Sequence, residues 1–208
     1  ELCKKKHIPV VVIDSEVSDT EAVVSTIVSD NYDAGVQCAK DMMKKKTSAN
    51  IIIVNQKALN SINERVKGFR DTIKGHPQYK IVEEKESAAE FEIAMKVMEE
   101  IIYEKKNYDV VMGGNDPIAL GCIAAMQMTD KTDQVMVYGV DGSPDGKAMI
   151  KAGFLEGTAA QSPIKIGEKA VQTAYSYLAG ETVKKHVTIP VELITADNLK
   201  FYDMTGWQ

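Results

Sequence analysis

The chain has 208 residues, 44 % of them hydrophobic and 26 % charged, with a formal net charge of -5. That is the composition of one large folded domain or two small ones, and its acidic balance disfavours a general nucleic-acid or anionic-membrane binder, which would be basic. No apolar run approaches the ~18 residues of a membrane span, and Cys3, Cys38, Cys122, His7, His76 and His186 stand too far apart for a disulfide framework or a zinc site, so no metal and no cofactor is expected.

In chain order, the opening ELCKKKHIPVVVID reads as the end of a helix leading into a strand at Ile8–Ile13. It lacks a basic start followed by an apolar core, so no signal peptide is expected in it, and Leu2 before Cys3 is larger than a lipoprotein cleavage site takes. Further strands are expected at Asn50–Val54, Tyr79–Glu84, Asp109–Met112, Gln134–Val140 and Glu156–Ala160. Amphipathic helices are expected at Asp33–Lys45, Ser61–Lys74, Glu90–Glu104, Pro117–Gln127, Asp145–Ala152 and Ile164–Ala179.

Ser61 and Glu64 have the spacing of a capping box. Asn115-Asp116-Pro117 sets cap-competent residues before a proline suited to a first turn. Glycines close several helices, at GHP 75–77, AG 152–153 and AGE 179–181. Regular β-α alternation with continuous apolar strands such as NIIIV implies an α/β fold, a mainly parallel sheet with helices on both faces.

Ligands of such sheets bind beyond the carboxyl ends of the strands. There the sequence places Asp14-Ser15, Asn55-Gln56 with Arg65 near the next helix start, Phe91, Asn115-Asp116, Asp141 and Gln161. Carboxylate, amide and guanidinium groups make paired hydrogen bonds to neighbouring hydroxyls, and an aromatic face covers an apolar patch. A polyol or sugar needs that mixture.

Other chemistries find less support. No phosphate-binding P-loop, strand-linked G-x-G-x-x-G or G-x-S-x-G occurs. Asp14, Asp116 and Asp141 leave paired carboxylates for glycoside hydrolysis open by spacing, but the amide-rich set favours neutral recognition over acid–base work. No enzymatic activity is expected.

Six segments together resemble the type I periplasmic sugar-binding proteins of ABC transporters, nearest the ribose-binding type. They are IPVVVID at 8–14, SDNYDAG at 29–35, ERVKGF at 64–69, NDPIALGCIAAM at 115–126, VYGVDGSPDG at 137–146 and TAAQSPIKIG at 158–167. The tail ITADNLKFYDMTGWQ is similar to those of such proteins from Gram-positive bacteria.

The resemblance implies Rossmann-like three-layer α/β/α lobes, joined by crossovers, that close on one monosaccharide, a pentose or hexose. It implies ligand contacts at Asp14, Arg65, Phe91, Asn115, Asp141 and Gln161. It implies a C-terminal lobe of residues 30–161 with 191–208, and a remnant of the N-terminal lobe in residues 1–29 with 162–190, the rest lying in a further segment ahead of IPVVVID.

The implied partners are the sugar and an ABC transporter permease, outside the cytoplasm, with membrane contact only through a lipid anchor outside this chain. Ser15 departs from the ribose-binding pattern, which has Arg there and so more hydrogen-bond donors. The same fold serves the effector-binding domain of LacI-type transcriptional regulators, the alternative class.

Overall fold

The computed structural model describes residues 2–129 and 135–208. Gln134 of the strand expected at Gln134–Val140 therefore lies outside the described residues. A one-turn helix, α1 (Leu2–Lys5), precedes strand β1 (Val11–Ile13). β1 is shorter than the expected Ile8–Ile13. The Ile8 N–H turns back to the Cys3 carbonyl, and Pro9 has no N–H to give a ladder, so pairing begins at Val11 opposite Ser25.

β1 lies at one edge of a three-stranded parallel sheet ordered β1-β2-β8, with β2 at Ser25–Ser29 and β8 at His186–Ile189. Neither β2 nor β8 is among the strands read from the sequence. β2 is buried along its whole length although Ser25, Thr26 and Ser29 are polar.

The second sheet has six strands: β3 (Ala49–Asn55), β4 (Tyr79–Glu86), β5 (Val110–Gly113), β6 (Met136–Asp141), β7 (Gly157–Ala160) and β9 (Glu192–Thr195). Their order is β4-β3-β5-β6-β7-β9, parallel throughout except for the antiparallel β7–β9 pair. Ile51 to Val54 and Val110 to Met112 are fully buried, as strands covered on both faces require.

The covering helices are α2 (Asn31–Lys45), α3 (Asn60–Ile73), α4 (Phe91–Tyr103), α5 (Asp116–Gln127) and α6 (Pro144–Ala152). Each lays an apolar stripe on the sheet, as with Ala94, Met98 and Ile101 of α4. Cys38 and Cys122 are buried in this core, and burial pushes the Cys122 thiol up to about 12.

Several helix ends match their local chemistry. Asn115 caps α5 by accepting from the Ile118 N–H, Ser143 caps α6, and Gly153 closes α6 at φ 82°. The capping box expected at Ser61 and Glu64 does not form. Leu59 holds the cap position of α3, and Ser61 is buried inside its first turn.

Helix α7 (Pro163–Leu178) packs over β1 and β2 and buries little more than Ile166 and Thr173. Ile164, Val171, Tyr175 and Leu178 are exposed along one stripe. The chain passes between the two sheets at Asp30, at Gln161-Ser162 and at Pro190-Val191.

Candidate functional site

Asp141 is the last residue of β6, and Gln161 follows β7, its neighbour in the sheet. The parallel register puts Asp141 opposite Ala160, so the two side chains leave the carboxyl ends of adjacent strands together. Gln161 Nε2 donates to Asp141 Oδ1 at 2.7 Å, and Arg65 Nη1 lies 3.4 Å from the same oxygen.

Arg65 arrives from α3 almost wholly buried, at 4 % exposure. Its Nε donates to Asn31 Oδ1 at 2.8 Å and its Nη1 to the Gly114 carbonyl at 2.9 Å. Helices α2 and α3 approach backbone to backbone here. A Cβ on Gly35 would overlap the Arg65 carbonyl, and one on Gly68 would overlap the Tyr32 carbonyl. Those two glycines let Asn31 reach the guanidinium.

The turn after β6 also answers to its sequence. Asp141 has φ 144°, in a region that L residues seldom occupy, and Gly142 follows at φ 70°, donating its N–H to Thr158 Oγ1. Backbone strain of this kind costs on the order of 1–3 kcal/mol. It aims the Asp141 carboxylate at Arg65 and Gln161.

Burial raises the Asp141 carboxyl to about 6. The Arg65 guanidinium and the Gln161 amide oppose that rise, while the nearby Asp116 carboxylate adds to it. Asp116 is itself fully buried and raised by burial. Its carboxylate is already engaged by the Ser143 N–H at 2.9 Å and by the hydroxyls of Ser143 and Thr158 at 2.6 Å each. Asp116 is a buried brace under the β6 turn, which removes it from the carboxylate pair that spacing alone left open.

Of the six residues read from the sequence, the structure joins Arg65, Asp141 and Gln161 in one hydrogen-bonded chain. Asn115 stands beside them after Gly114. Its Oδ1 caps α5, and its Nδ2 has no hydrogen-bond partner among the described residues. Phe91 opens α4 with its ring partly exposed.

Asp14 follows β1 on the other sheet. No hydrogen bond or ion pair joins it to the cluster among the described residues; its carboxylate meets only the Ser15 hydroxyl, at 3.4 Å. Asp14 instead lines a concavity of about 250 Å³ between the sheets, together with Ser29, Asp30, Asn31 and Asn60. Glu16 crosses that concavity, accepting from Asn60 Nδ2 at 2.9 Å and meeting His186 Nε2 at 3.0 Å.

Sequence reasoning missed Ser29, Asn31 and the Gly114 carbonyl. The only trace of Ser29 and Asn31 was the SDN that opens SDNYDAG, and nothing local connects it to Arg65, 34 residues on from Asn31. Chemically the cluster offers a carboxylate acceptor with amide and guanidinium donors. The described residues hold no group of three metal-ligating side chains.

Residues 1–182 match the family described as periplasmic binding protein domain. The chain belongs to that family. It is 31 % identical over 196 residues to the ribose import binding protein of Escherichia coli, covering 93 % of this chain and 65 % of the relative. Over 205 residues it is 31 % identical to the D-apiose import binding protein of Paraburkholderia graminis, covering 97 % and 65 %. The chain thus spans about 65 % of the length of these curated relatives.

Among solved structures, an ABC transporter solute-binding protein of Bacillus halodurans with bound myo-inositol superposes with a TM-score of 0.90. Identity is 25 %, over 97 % of this chain and 70 % of the other. The fold is therefore that of the type I, ribose-binding-like members of the family, and these relatives are binding proteins, not enzymes.

Proposed function

We propose that this chain is the larger part of an extracytoplasmic solute-binding protein that captures one pentose or hexose between two lobes and delivers it to an ABC transporter permease. The observation that carries the reading is the Arg65–Asp141–Gln161 chain at the ends of parallel strands, beside the segments that pass between the sheets. Residues 30–161 with 191–208 form one lobe in this reading, and residues 1–29 with 162–190 belong to the other. The names of the two curated relatives, a ribose and a D-apiose import binding protein, support it.

Each side chain then has a task. Asp141 accepts from ligand hydroxyls, and Asn115 Nδ2 and Arg65 Nη2 donate to them. Arg65 Nε and Nη1 are already held by Asn31 and Gly114, so the guanidinium is oriented before ligand arrives. Phe91 covers a C–H face of the ring, and Asp14 reaches the ligand from the other lobe when the cleft closes. Ligand that bridges both lobes favours the closed arrangement over the open one. No cofactor, metal or nucleic acid takes part, and membrane contact runs only through a lipid anchor outside this chain. The LacI-type alternative is not favoured by import proteins as relatives.

The exposed stripe of α7 and the free edge of β1 are read as the surface against which a preceding segment of the protein packs. Isothermal titration of the longer protein against a panel of neutral pentoses and hexoses tests the function. Binding of at least one at micromolar affinity or tighter is expected (about 8 kcal/mol), with the 208-residue chain alone far weaker because one wall of the cleft is missing. Absence of binding to every sugar by the longer protein overturns the reading.

A further inference from the structure

Ser29, Asp30 and Asn31 carry the chain from the three-stranded sheet to the six-stranded one, and each is tied to a different element. Ser29 is the last residue of β2, 2 % exposed, and its hydroxyl donates to Gln161 Oε1 at 2.8 Å. The Asp30 N–H donates to the Ile189 carbonyl of β8 at 2.8 Å, and its carboxylate caps α2 through the Asp33 N–H. Asn31, the first residue of α2, is buried and accepts from Arg65 Nε.

A glutamine amide has one accepting end and one donating end. With the Ser29 hydroxyl on Oε1, Nε2 is turned to Asp141; the reverse orientation would set two oxygens against each other. Asn31 holds the guanidinium, the second group on Asp141 Oδ1, by accepting from Arg65 Nε. A rotation of one sheet against the other about residues 29–31 therefore strains the Ser29–Gln161 bond, which joins the end of β2 to the residue after β7, while Asn31 keeps its hold on Arg65 within the six-stranded unit.

We infer that Ser29 and Asn31 are positioning residues: Ser29 ties the angle between the two sheets to the orientation of the Gln161 amide, and Asn31 holds the Arg65 guanidinium in place beside Asp141. The inference rests on the reading of Asp141 as a ligand contact, and it adds to that reading two residues assigned no direct part in it. It also makes the coupling reciprocal: whatever seats itself on Asp141 biases the sheet angle through the same bonds.

The test separates the hydroxyl from the shape of the side chain. Ser29→Thr keeps a donor, and Ser29→Val has nearly the same volume without one. Asp141 faces Arg65 from α3, Asp116 from α5 and Gln161 after β7, and of these only Gln161 is bonded to Ser29. Carboxyl-carbon NMR of the ligand-free 208-residue chain should show Asp141 titrating near 6 in the parent and in Ser29→Thr. In Ser29→Val its midpoint should rise by roughly 0.5 or more as the Gln161 amide is freed to turn.

Matching thermal unfolding of the Thr and Val variants controls for the fold, and identical Asp141 midpoints in the two would overturn the role of Ser29. For Asn31, the Arg65 Nε–H should exchange with solvent at least roughly tenfold faster in Asn31→Ala; unchanged exchange overturns that half. In the longer protein, titration with D-ribose, L-arabinose and D-allose should show roughly tenfold weaker binding for Ser29→Val than for Ser29→Thr; equal affinity for a sugar that the parent binds overturns the coupling. If the parent binds none of the three, the choice of ligand fails while the NMR comparison still decides the positioning role.

Discussion

Gly139 of β6 and Asp116 of α5 stand so close that a Cβ on the glycine would overlap Oδ1 of the carboxylate; Gly146 of α6 closes on Oδ2 in the same way. The buried acid is thus wedged between two glycines and bonded to Ser143 and Thr158. Gly139→Ala or Gly146→Ala must displace it, adding overpacking to lost hydrogen bonds. Each is expected to cost about 2–4 kcal/mol of stability by urea denaturation. A cost below about 1 kcal/mol at both positions would show that the Asp116 brace gives way easily.

Asp141 is predicted to trade stability for function. Its carboxyl is raised to about 6, against about 3.9 for an ordinary aspartate. The folded chain therefore binds more protons than the unfolded one across the interval from about pH 4 to pH 6. The contribution of this group is most favourable below that interval and declines as pH rises through it, by up to about 2–3 kcal/mol. Asp141→Asn keeps the Gln161 hydrogen bond and abolishes the titration. The stability difference between parent and variant should widen in favour of the variant from pH 4.5 to pH 7.5 in buffered urea melts; parallel profiles would sink the assignment. Ligand affinity in the longer protein should move the opposite way, weakening below about 6 as the accepting carboxylate is neutralised.

Truncation at the cluster should be felt in affinity. Asp141→Ala and Asn115→Ala in the longer protein leave ligand hydroxyls and buried partners unpaired. Each is expected to cost about 1–3 kcal/mol in a calorimetric titration with whichever sugar the parent binds. Asn115→Ala should also cost about 1 kcal/mol of stability through the lost cap on α5. Unchanged affinity in both variants would falsify the site.

The strands and helices of the six-stranded sheet were largely legible in the sequence because each carries its own period. β3 is an unbroken apolar run, and α4 repeats Ala94, Met98 and Ile101 on one face. The strands that escaped are those with weak local signals. β2 mixes Ser25, Thr26 and Ser29 with two apolar residues and is a strand because its neighbours bury it. β8 and β9 are four residues each, separated by Pro190-Val191, and their exposure follows the sheet edge rather than any pattern of their own. At the site, Arg65, Asp141 and Gln161 were legible as strand-end polar residues. Ser29 was not, since its partner Gln161 lies 132 residues away and only the fold brings them together. The capping box at Ser61 failed for a related reason: packing buries that serine inside the first turn of α3, so its side chain cannot serve as the cap.

Val171, Tyr175 and Leu178 are 57 %, 70 % and 71 % exposed, and with Ile164 they repeat along one face of α7. Burying side chains of this size against a partner is worth about 1.5–3 kcal/mol each, so an uncovered stripe favours association. The strand beneath it, β1, adds an edge with unpaired backbone groups. The 208-residue chain alone should therefore self-associate in sedimentation equilibrium at tens of micromolar. A Val171→Lys and Leu178→Lys double variant should sediment closer to a monomer, with its stability changed by less than about 0.5 kcal/mol, as at other exposed positions. In the longer protein the same double substitution should destabilise by about 3–5 kcal/mol, because lysines would be forced into a packed face. Equal tolerance in both forms would mean that the preceding segment does not cover α7, and that the stripe faces solvent or another partner.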